Sequence, residues 1–461
     1  MTDKPKNKTI DHIATGRLHR RMLMTKAGVT AGAKMATDMY TNFLSGMWTD
    51  KAQREIKRKE SFTKQTHYLI DEMGKLKGSV VKVGQMMALY GEHFLPPEVT
   101  EALHRFEDQT TSLDWSVIEP VLRKELGARF AELDINPEPM AAASLGQVHR
   151  AIRISDGTEI CLKVQYPGVA ESIDSDIGDV VSLMKLAKLI TTGKDFDNWL
   201  DDVRQMMHRE TDYCLEAETT QYFHDLLASN PSIIVPNVYS EYSTKCVLAT
   251  SYEDGLSPTH KDVLSLSLER RNKICWTFLD VFFKEIYCWN RMQGDPNFGN
   301  YRVRIHDDGM DQLVLLDFGA VQVYPESFME PLKMMIKGAF YDDLEQVKQG
   351  AIELHMLEES FPDDVKTSFA EVCCSIIEPF RYDEMDVPEN AVTEFGYHWK
   401  ESDLPSRVIK EAIKKAVSLY FSVPPKEFMF LYRKLLGVYT FVAVLDGQFN
   451  GRKLIEEYVK G

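Results

Sequence analysis

Apolar residues recur at helical spacing across residues 64–91: Met73, Leu76, Val80, Val83, Met87 and Leu89 fall at mostly three- and four-residue steps. That spacing predicts an amphipathic helix. The Leu-Pro-Pro-Glu run at 95–98 ends it, because proline cannot continue the ladder. Residues 116–127, SVIEPVLRKELG, predict a second short helix closed by glycine. The period then changes. Residues 146–167, GQVHRAIRISDGTEICLKVQYP, hold two runs of β-type residues divided by Asp156-Gly157, the turn pair that most strongly marks a hairpin. Residues 170–228 return to helical patterning, and 232–255 predict two further strands and a turn. From 256 onward the pattern is helical. The exception is 301–319, a hairpin about Asp308-Gly309 that delivers Asp317 at a strand end.

The pattern describes an α+β chain in which a helical front precedes two lobes, a small mixed β lobe and a larger helical lobe. We divide it into a basic leader and helix (1–60), a helical extension (61–130), a β-containing lobe (131–255) and a mostly helical lobe (256–461).

Length and charge narrow the function. At 461 residues the chain can bury two or three packed subdomains. A net charge of −16 argues against nucleic acid as main partner, since a phosphate backbone needs a basic surface. Residues 1–60 run the other way, with His19-Arg20-Arg21 and Lys57-Arg58-Lys59. They read equally as contact with an anionic membrane surface or as a solvated helix face. The seven cysteines are scattered, with no C-x-x-C. That speaks for a reducing compartment and against a disulfide framework or a zinc site. The opening MTDKPKNKTI has no apolar run, so a secretory signal is not expected there. Residues 428–445 are the best membrane candidate, but Arg433 and Lys434 interrupt them; the expectation is a buried C-terminal helix. Residues 22–46, with Gly28-x-x-x-Gly32, predict an interfacial or partner helix.

The chemistry lies in a few short stretches. Asp295 and Asn300 stand five apart in QGDPNFGN, and Asp317 follows in LLDFG behind a hairpin. A kinase-type site needs one carboxylate beside the reacting oxygen, an amide oxygen on a metal and a second carboxylate on the metals. Asp295 fits the first role, and Asn300 and Asp317 fit the metal roles. Mg²⁺ takes oxygen ligands and keeps waters, so two protein oxygens and nucleotide phosphates suffice. Upstream, Lys163 ends the second hairpin strand, where a kinase lysine holds the α and β phosphates and is kept in place by a helix glutamate. We assign Glu216 to it from HRETDYCLEAE. Glu210 and Asp212 remain to pair with another cation, and Lys82 of Lys-x-Gly-Gln, with Gln85 on the same helix face, supplies one. Ala141, Ala142, Ala143 and Ser144 form a small-residue loop where a kinase carries its glycine-rich phosphate cover. Two features depart from an ordinary protein kinase: Gln293-Gly294 replaces the His-Arg before the catalytic aspartate, and only a few residues separate Gly319 from the next helix near Pro325.

With these stretches in hand, the chain resembles the UbiB/AarF-type atypical kinase family, the group linked to ubiquinone biosynthesis. The match runs from about residue 70 to about 320 and more loosely to the C-terminus. Its carriers are Lys82-Val83-Gly84-Gln85, AAASLGQVH (141–149), LKVQYPGV (162–169), ETDYCLEA (210–217), GDPNFGN (294–300) and DFG (317–319). The resemblance implies a protein-kinase-like fold with the Lys-x-Gly-Gln helices laid over the active site. Lys82 would meet the Glu210/Asp212 pair there and close off the place of a peptide substrate. It also implies ATP with Mg²⁺, hydrolysis more readily than protein phosphorylation, and peripheral membrane association. The implied partners are a membrane lipid or isoprenoid quinone precursor and ubiquinone-biosynthesis enzymes. The Asp-Pro-Asn form at 295–297 is similar to the coenzyme Q branch. Ser251 departs where the family tends to carry a hinge glutamate, and Gly294 replaces a more usual Thr or Ala. The expected location is a bacterial cytoplasm with membrane contact. The alternative to an ATP-hydrolysing enzyme is a nucleotide-dependent scaffold that recruits lipid-synthesis enzymes; a small-molecule phosphotransferase ranks third.

Overall fold

The computed structural model describes residues 79–90, 95–104, 112–186, 189–190, 193–415 and 426–460, with single positions between 63 and 70. The basic leader, the Gly28-x-x-x-Gly32 stretch and Met73 and Leu76 lie outside the described residues. The chain forms two compact units, one of residues 1–218 with 237–252, the other of 219–236 with 253–461.

The first unit packs helices on an antiparallel sheet. Its helices are α1 (Ser79–Tyr90), α2 (Pro97–His104), α3 (Trp115–Leu126), α4 (Val169–Leu186) and α5 (Lys194–Glu210). Val80, Val83 and Met87, on the predicted stripe of α1, are fully buried. Pro97 opens α2, a position where its missing N–H costs nothing. Gly127 caps α3 at φ 56 and donates its N–H to the Arg123 carbonyl.

The sheet runs β1 (Leu133–Ile135), β3 (Gly146–Arg153), β4 (Glu159–Gln165) and β6 (Val247–Ser251), with β2 (Ala141–Ala142) beside β3. The β3–β4 hairpin pairs Ala151 with Ile160 and turns at Gly157, φ 75. The Asp156 carboxylate holds that turn by accepting the Thr158 N–H (3.1 Å) and the Arg153 guanidinium (3.0 and 2.8 Å). Ile160, Leu162 and Val164 of β4 point inward and join Val80, Val83, Met87, Leu122, Ile173 and Ile177 in one apolar core.

The two strands expected within 232–255 both form, but in different sheets. β5 (Ile233–Ile234) runs parallel to a strand of the second unit, whereas β6 pairs antiparallel with β4. A short β-type run states that a strand forms, not which edge it joins.

Helix α6 (Tyr213–Leu227) follows α5. In the second unit, helix α7 (Leu268–Lys284) runs into a π turn, Glu285–Trp289, and then the left-handed Asn290 (φ 48). Next come β7 (Arg291–Gln293), the hairpin β8 (Tyr301–Arg304) and β9 (Gln312–Leu315), and β10 (Val321–Val323), antiparallel to β7. Helices α8 (Glu326–Tyr341), α9 (Leu344–Glu353) and α10 (Asp363–Ile376) follow, and later α11 (Leu404–Lys414) and α12 (Lys426–Val444). The expectation for 428–445 holds: Phe430, Leu431, Val438, Phe441 and Val442 of α12 are buried. No described helix is long and apolar enough to cross a membrane.

Candidate active site

Each unit carries one half of the predicted constellation. In the first, β4 presents Lys163 beside the helix Tyr213–Leu227, which carries Glu216. The Lys163 Nζ lies 2.6 Å from Glu216 Oε1, with the glutamate side chain only 5% exposed. The ammonium also lies 5.3 Å from the Tyr213 ring centre, close enough for a cation–π contribution. Gly146, opposite Gln165 in the hairpin, makes room for this packing. A Cβ there would fall 2.5 Å from the Val164 carbonyl oxygen and 2.7 Å from the Tyr213 hydroxyl.

Two buried glutamines, unassigned by the sequence reading, hold this half together. Gln165 donates from Nε2 to the Thr211 carbonyl (3.0 Å), at the joint between α5 and the Glu216 helix. That bond ties the lysine strand to the residues on either side of Thr211. Gln147 accepts the Leu113 N–H (2.7 Å), returns a bond to the Leu113 carbonyl (3.2 Å) and donates to His149 Nε2 (2.8 Å). His149 Nδ1 in turn meets the Asn136 carbonyl (2.8 Å). Burial lowers the His149 pKa, which favours the neutral imidazole. Both glutamines lie inside stretches the resemblance singled out. Alternation alone put Gln147 and Gln165 on strand faces, and nothing in spacing names the distant backbone groups they bind.

Lys82 on α1 pairs with Glu210 at the end of α5, 2.5 Å apart and each about one-fifth exposed. Asp212 is engaged differently: its carboxylate accepts the Leu215 N–H (3.0 Å) and its carbonyl accepts the Glu216 N–H (3.0 Å). It thus caps the helix that carries Glu216, a satisfied role for an aspartate just before a helix. Gln85 lies half-buried on α1. The small-residue loop is partly strand. Ala141 and Ala142 pair with Val148 and Gln147, and the Ala143 N–H bonds the Gly146 carbonyl (2.8 Å). Only Ala143, Ser144 and Leu145 form the turn.

The second unit carries Asp295, Asn300 and Asp317. Asn300 directs its Nδ2 to the Asp295 carbonyl (3.1 Å) and to Asp295 Oδ2 (3.0 Å). Both donors of that amide serve Asp295, so its oxygen is the end turned to any metal. The Asn300 carbonyl accepts the Leu316 N–H (2.9 Å), which fixes Asn300 one residue out of register from Asp317. Asp317 Oδ1 accepts the Gly319 N–H (2.9 Å), and Phe318 is buried against Phe223, ring centres 4.8 Å apart. The donors at hand are hard oxygens, as Mg²⁺ requires, and two of them leave room for phosphate and water.

The sequence reading missed the cations that serve this half. Arg433 of α12 lies 2.9 Å from Asp295 Oδ1, and Lys434 lies 2.9 Å from buried Glu285. Gln293, in the place of a kinase His-Arg, is buried; its Nε2 bonds the Asp295 carbonyl (2.8 Å), and its Oε1 accepts from the Tyr301 hydroxyl (3.2 Å). The β7–β10 ladder adds Gln293 opposite Val321, and the Gly294 N–H bonds the Ala320 carbonyl (3.1 Å). Backbone pairing and an amide here tie the 293–300 stretch to the segment after Asp-Phe-Gly. The only hint was that Arg433 and Lys434 interrupt an otherwise apolar helix.

The fold and the residues gathered in each unit are those of a kinase-like protein. A family model described as the ABC1 atypical kinase-like domain matches residues 105–351, more than half the chain, and the chain belongs to that family. It is 30% identical over 396 residues to the atypical kinase COQ8, mitochondrial, of Schizosaccharomyces pombe, covering 85% of this chain and 62% of that protein. It is 28% identical over 396 residues to its Saccharomyces cerevisiae namesake, covering 84% of this chain and 75% of the other. With the Danio rerio atypical kinase COQ8B, mitochondrial, it shares 29% identity over 388 residues, 84% of this chain and 59% of that protein. Against two of these three relatives the chain spans about three-fifths of their length. Its fold is also similar to that of Rv3197, solved in complex with erythromycin, from Mycobacterium tuberculosis. The TM-score is 0.58 at 24% identity, covering 89% of this chain and 98% of that one.

Proposed function

We propose that the chain is an Mg-ATP-dependent atypical kinase or ATPase that supports synthesis of coenzyme Q or a related isoprenoid lipid. Hydrolysis rather than peptide phosphorylation is its main output. The observation that carries this reading is the Lys163–Glu216 pair, formed at 2.6 Å, the arrangement in which a kinase lysine engages nucleotide phosphates. Asn300 and Asp317 would hold Mg²⁺, which offsets charge on the phosphates. Asp295, oriented by Asn300 and Arg433, aligns the attacking water or hydroxyl. The Lys82–Glu210 pair, with Gln85, governs access, and the turn at Ala143 and Ser144 lies over phosphate. Coenzyme Q chemistry is drawn from the COQ8 relatives, and membrane contact from the family resemblance. Those relatives are named as mitochondrial, so a mitochondrial setting joins the bacterial one as a place for the activity.

The test is phosphate release from Mg-ATP by the purified chain, with and without anionic vesicles, beside Asp317→Asn. Turnover that vanishes in the variant while its thermal unfolding is unchanged supports the reading. Turnover retained in Asp317→Asn refutes it.

A further inference from the structure

Consecutive cations of α12 reach the catalytic stretch by different routes. Arg433 sits on the Asp295 carboxylate itself. Lys434 is buried and pairs with Glu285, whose side chain is 2% exposed. Glu285 stands where α7 widens into the π turn that precedes Asn290, and such turns are rare and concentrate at functional positions. Its carboxylate accepts the Gln293 N–H at 3.0 Å. The Gln293 side chain then bonds the Asp295 carbonyl at 2.8 Å and lies 3.5 Å from the Asp317 carbonyl.

We propose that the buried Lys434–Glu285 pair is a positioning device for the reaction, which sets the backbone of Asp295 and Asp317 together through Gln293. Stability alone does not account for the pair. Desolvating two charges costs much of what their attraction returns, and an apolar couple of similar volume often serves a core as well or better. What an apolar couple lacks is an oriented acceptor for the Gln293 N–H. Burial raises the Glu285 pKa; the lysine pulls the other way and aims the carboxylate, and α12 thereby becomes a support of the stretch around Asp295 although it carries none of the kinase motifs. This rests on the reading of Asp295 and Asp317 as the reacting and metal-holding carboxylates.

Two double variants of the full chain test it: E285L/K434M, which removes the acceptor, and E285Q/K434Q, which keeps an amide oxygen for Gln293. For each, Mg-ATP turnover and nucleotide Kd are measured, with hydrogen exchange across 291–300 in nucleotide-free protein. In E285L/K434M, kcat is expected to fall about 100-fold, the usual consequence of an ångström-scale misplacement of a reacting group. Kd should stay near wild type, and exchange should quicken in 291–300 but not in 146–165. E285Q/K434Q should recover protection and most of the turnover. Unchanged exchange in a folded E285L/K434M, or turnover within about threefold of wild type, overturns the proposal. If that variant does not fold, E285Q/K434Q decides: loss of both protection and turnover there overturns it, and retention supports it. A wild-type chain without turnover, whose 291–300 segment still loosens in E285L/K434M, would sink the ATPase reading and leave the positioning role standing.

Discussion

Substituting Gly437 by alanine puts the support of the Asp295 loop to a direct test. Gly437 lies within α12, and a Cβ built on it falls 2.0 Å from Pro296 Cβ and 2.7 Å from Pro296 Cγ. Two carbons in contact sit about 3.5–4.0 Å apart. Helix and loop would therefore have to separate by about 1.5 Å, the gap between 2.0 Å and the near edge of that range. In a helix free of neighbours the change would stabilise by roughly 0.5–1 kcal/mol, because alanine loses less backbone entropy. Here overpacking works against it at about 1–3 kcal/mol, so the sign reverses. Pro296 follows Asp295 directly, which makes the loop the easier side to yield. The expected result is a net loss of about 1–2 kcal/mol in unfolding free energy and a kcat lowered about 100-fold. Nucleotide affinity should change little, since Lys163 and Glu216 stand on other elements. The assays are denaturant unfolding, Mg-ATP turnover and nucleotide titration on one preparation. A Gly437→Ala protein of equal or greater stability with full turnover would refute the packing of α12 against the loop.

Two further outcomes follow from the first unit. Gln165→Leu removes the buried donor to the Thr211 carbonyl and leaves that acceptor unmatched, at a cost of about 1–3 kcal/mol. Denaturant unfolding reads that loss, and nucleotide titration should show weaker binding as the joint that carries Glu216 loosens. His149 gives a pH dependence. Its folded-state pKa lies below the ordinary 6.5, chiefly because the ring is buried. The unfolded chain therefore takes up the proton first as pH falls. The stabilisation is complete above pH 6.5 and declines from there toward the depressed folded value. Melting temperature should drop between pH 7.5 and 5.5, and less steeply in His149→Gln; parallel slopes would contradict the assignment.

The sequence made the local elements plain wherever one physical rule dominated. Asp156-Gly157 and Asp308-Gly309 both close hairpins, with glycine at φ 75 and 78, because few residues tolerate that backbone. Val80, Val83 and Met87 were readable as a buried stripe from their spacing. Partner choice was less readable. Ile233–Ile234 leaves its sequence neighbours to pair with Gln312–Leu315, a long-range choice that local patterning does not encode. The candidate site divides in the same way. Lys163, Glu216, Asn300 and Asp317 stand in short motifs whose residue types follow from phosphate and metal chemistry. Gln147, Gln165, Gln293, Glu285 and Lys434 act on backbone groups or partners far along the chain, and an uncharged amide in a strand carries no signal of what it binds.

Arg433 and Lys434 show how such a signal can still be extracted. In an otherwise apolar run, two adjacent charges are a poor fit both to a membrane span and to an ordinary core, since each must find a partner when buried. The sequence expectation was a buried helix; burial then requires an anionic partner for each of the two charges. Both partners prove to lie within ten residues of each other, at Glu285 and Asp295, on either side of Gln293. A helix more than 130 residues downstream of Asp295 is thus bound to it twice, by a direct ion pair and by a buried relay. Gly437 lets it come close enough to do both. That arrangement places on Asp295, from outside the motif, a cation that the run QGDPNFGN (293–300) does not itself contain.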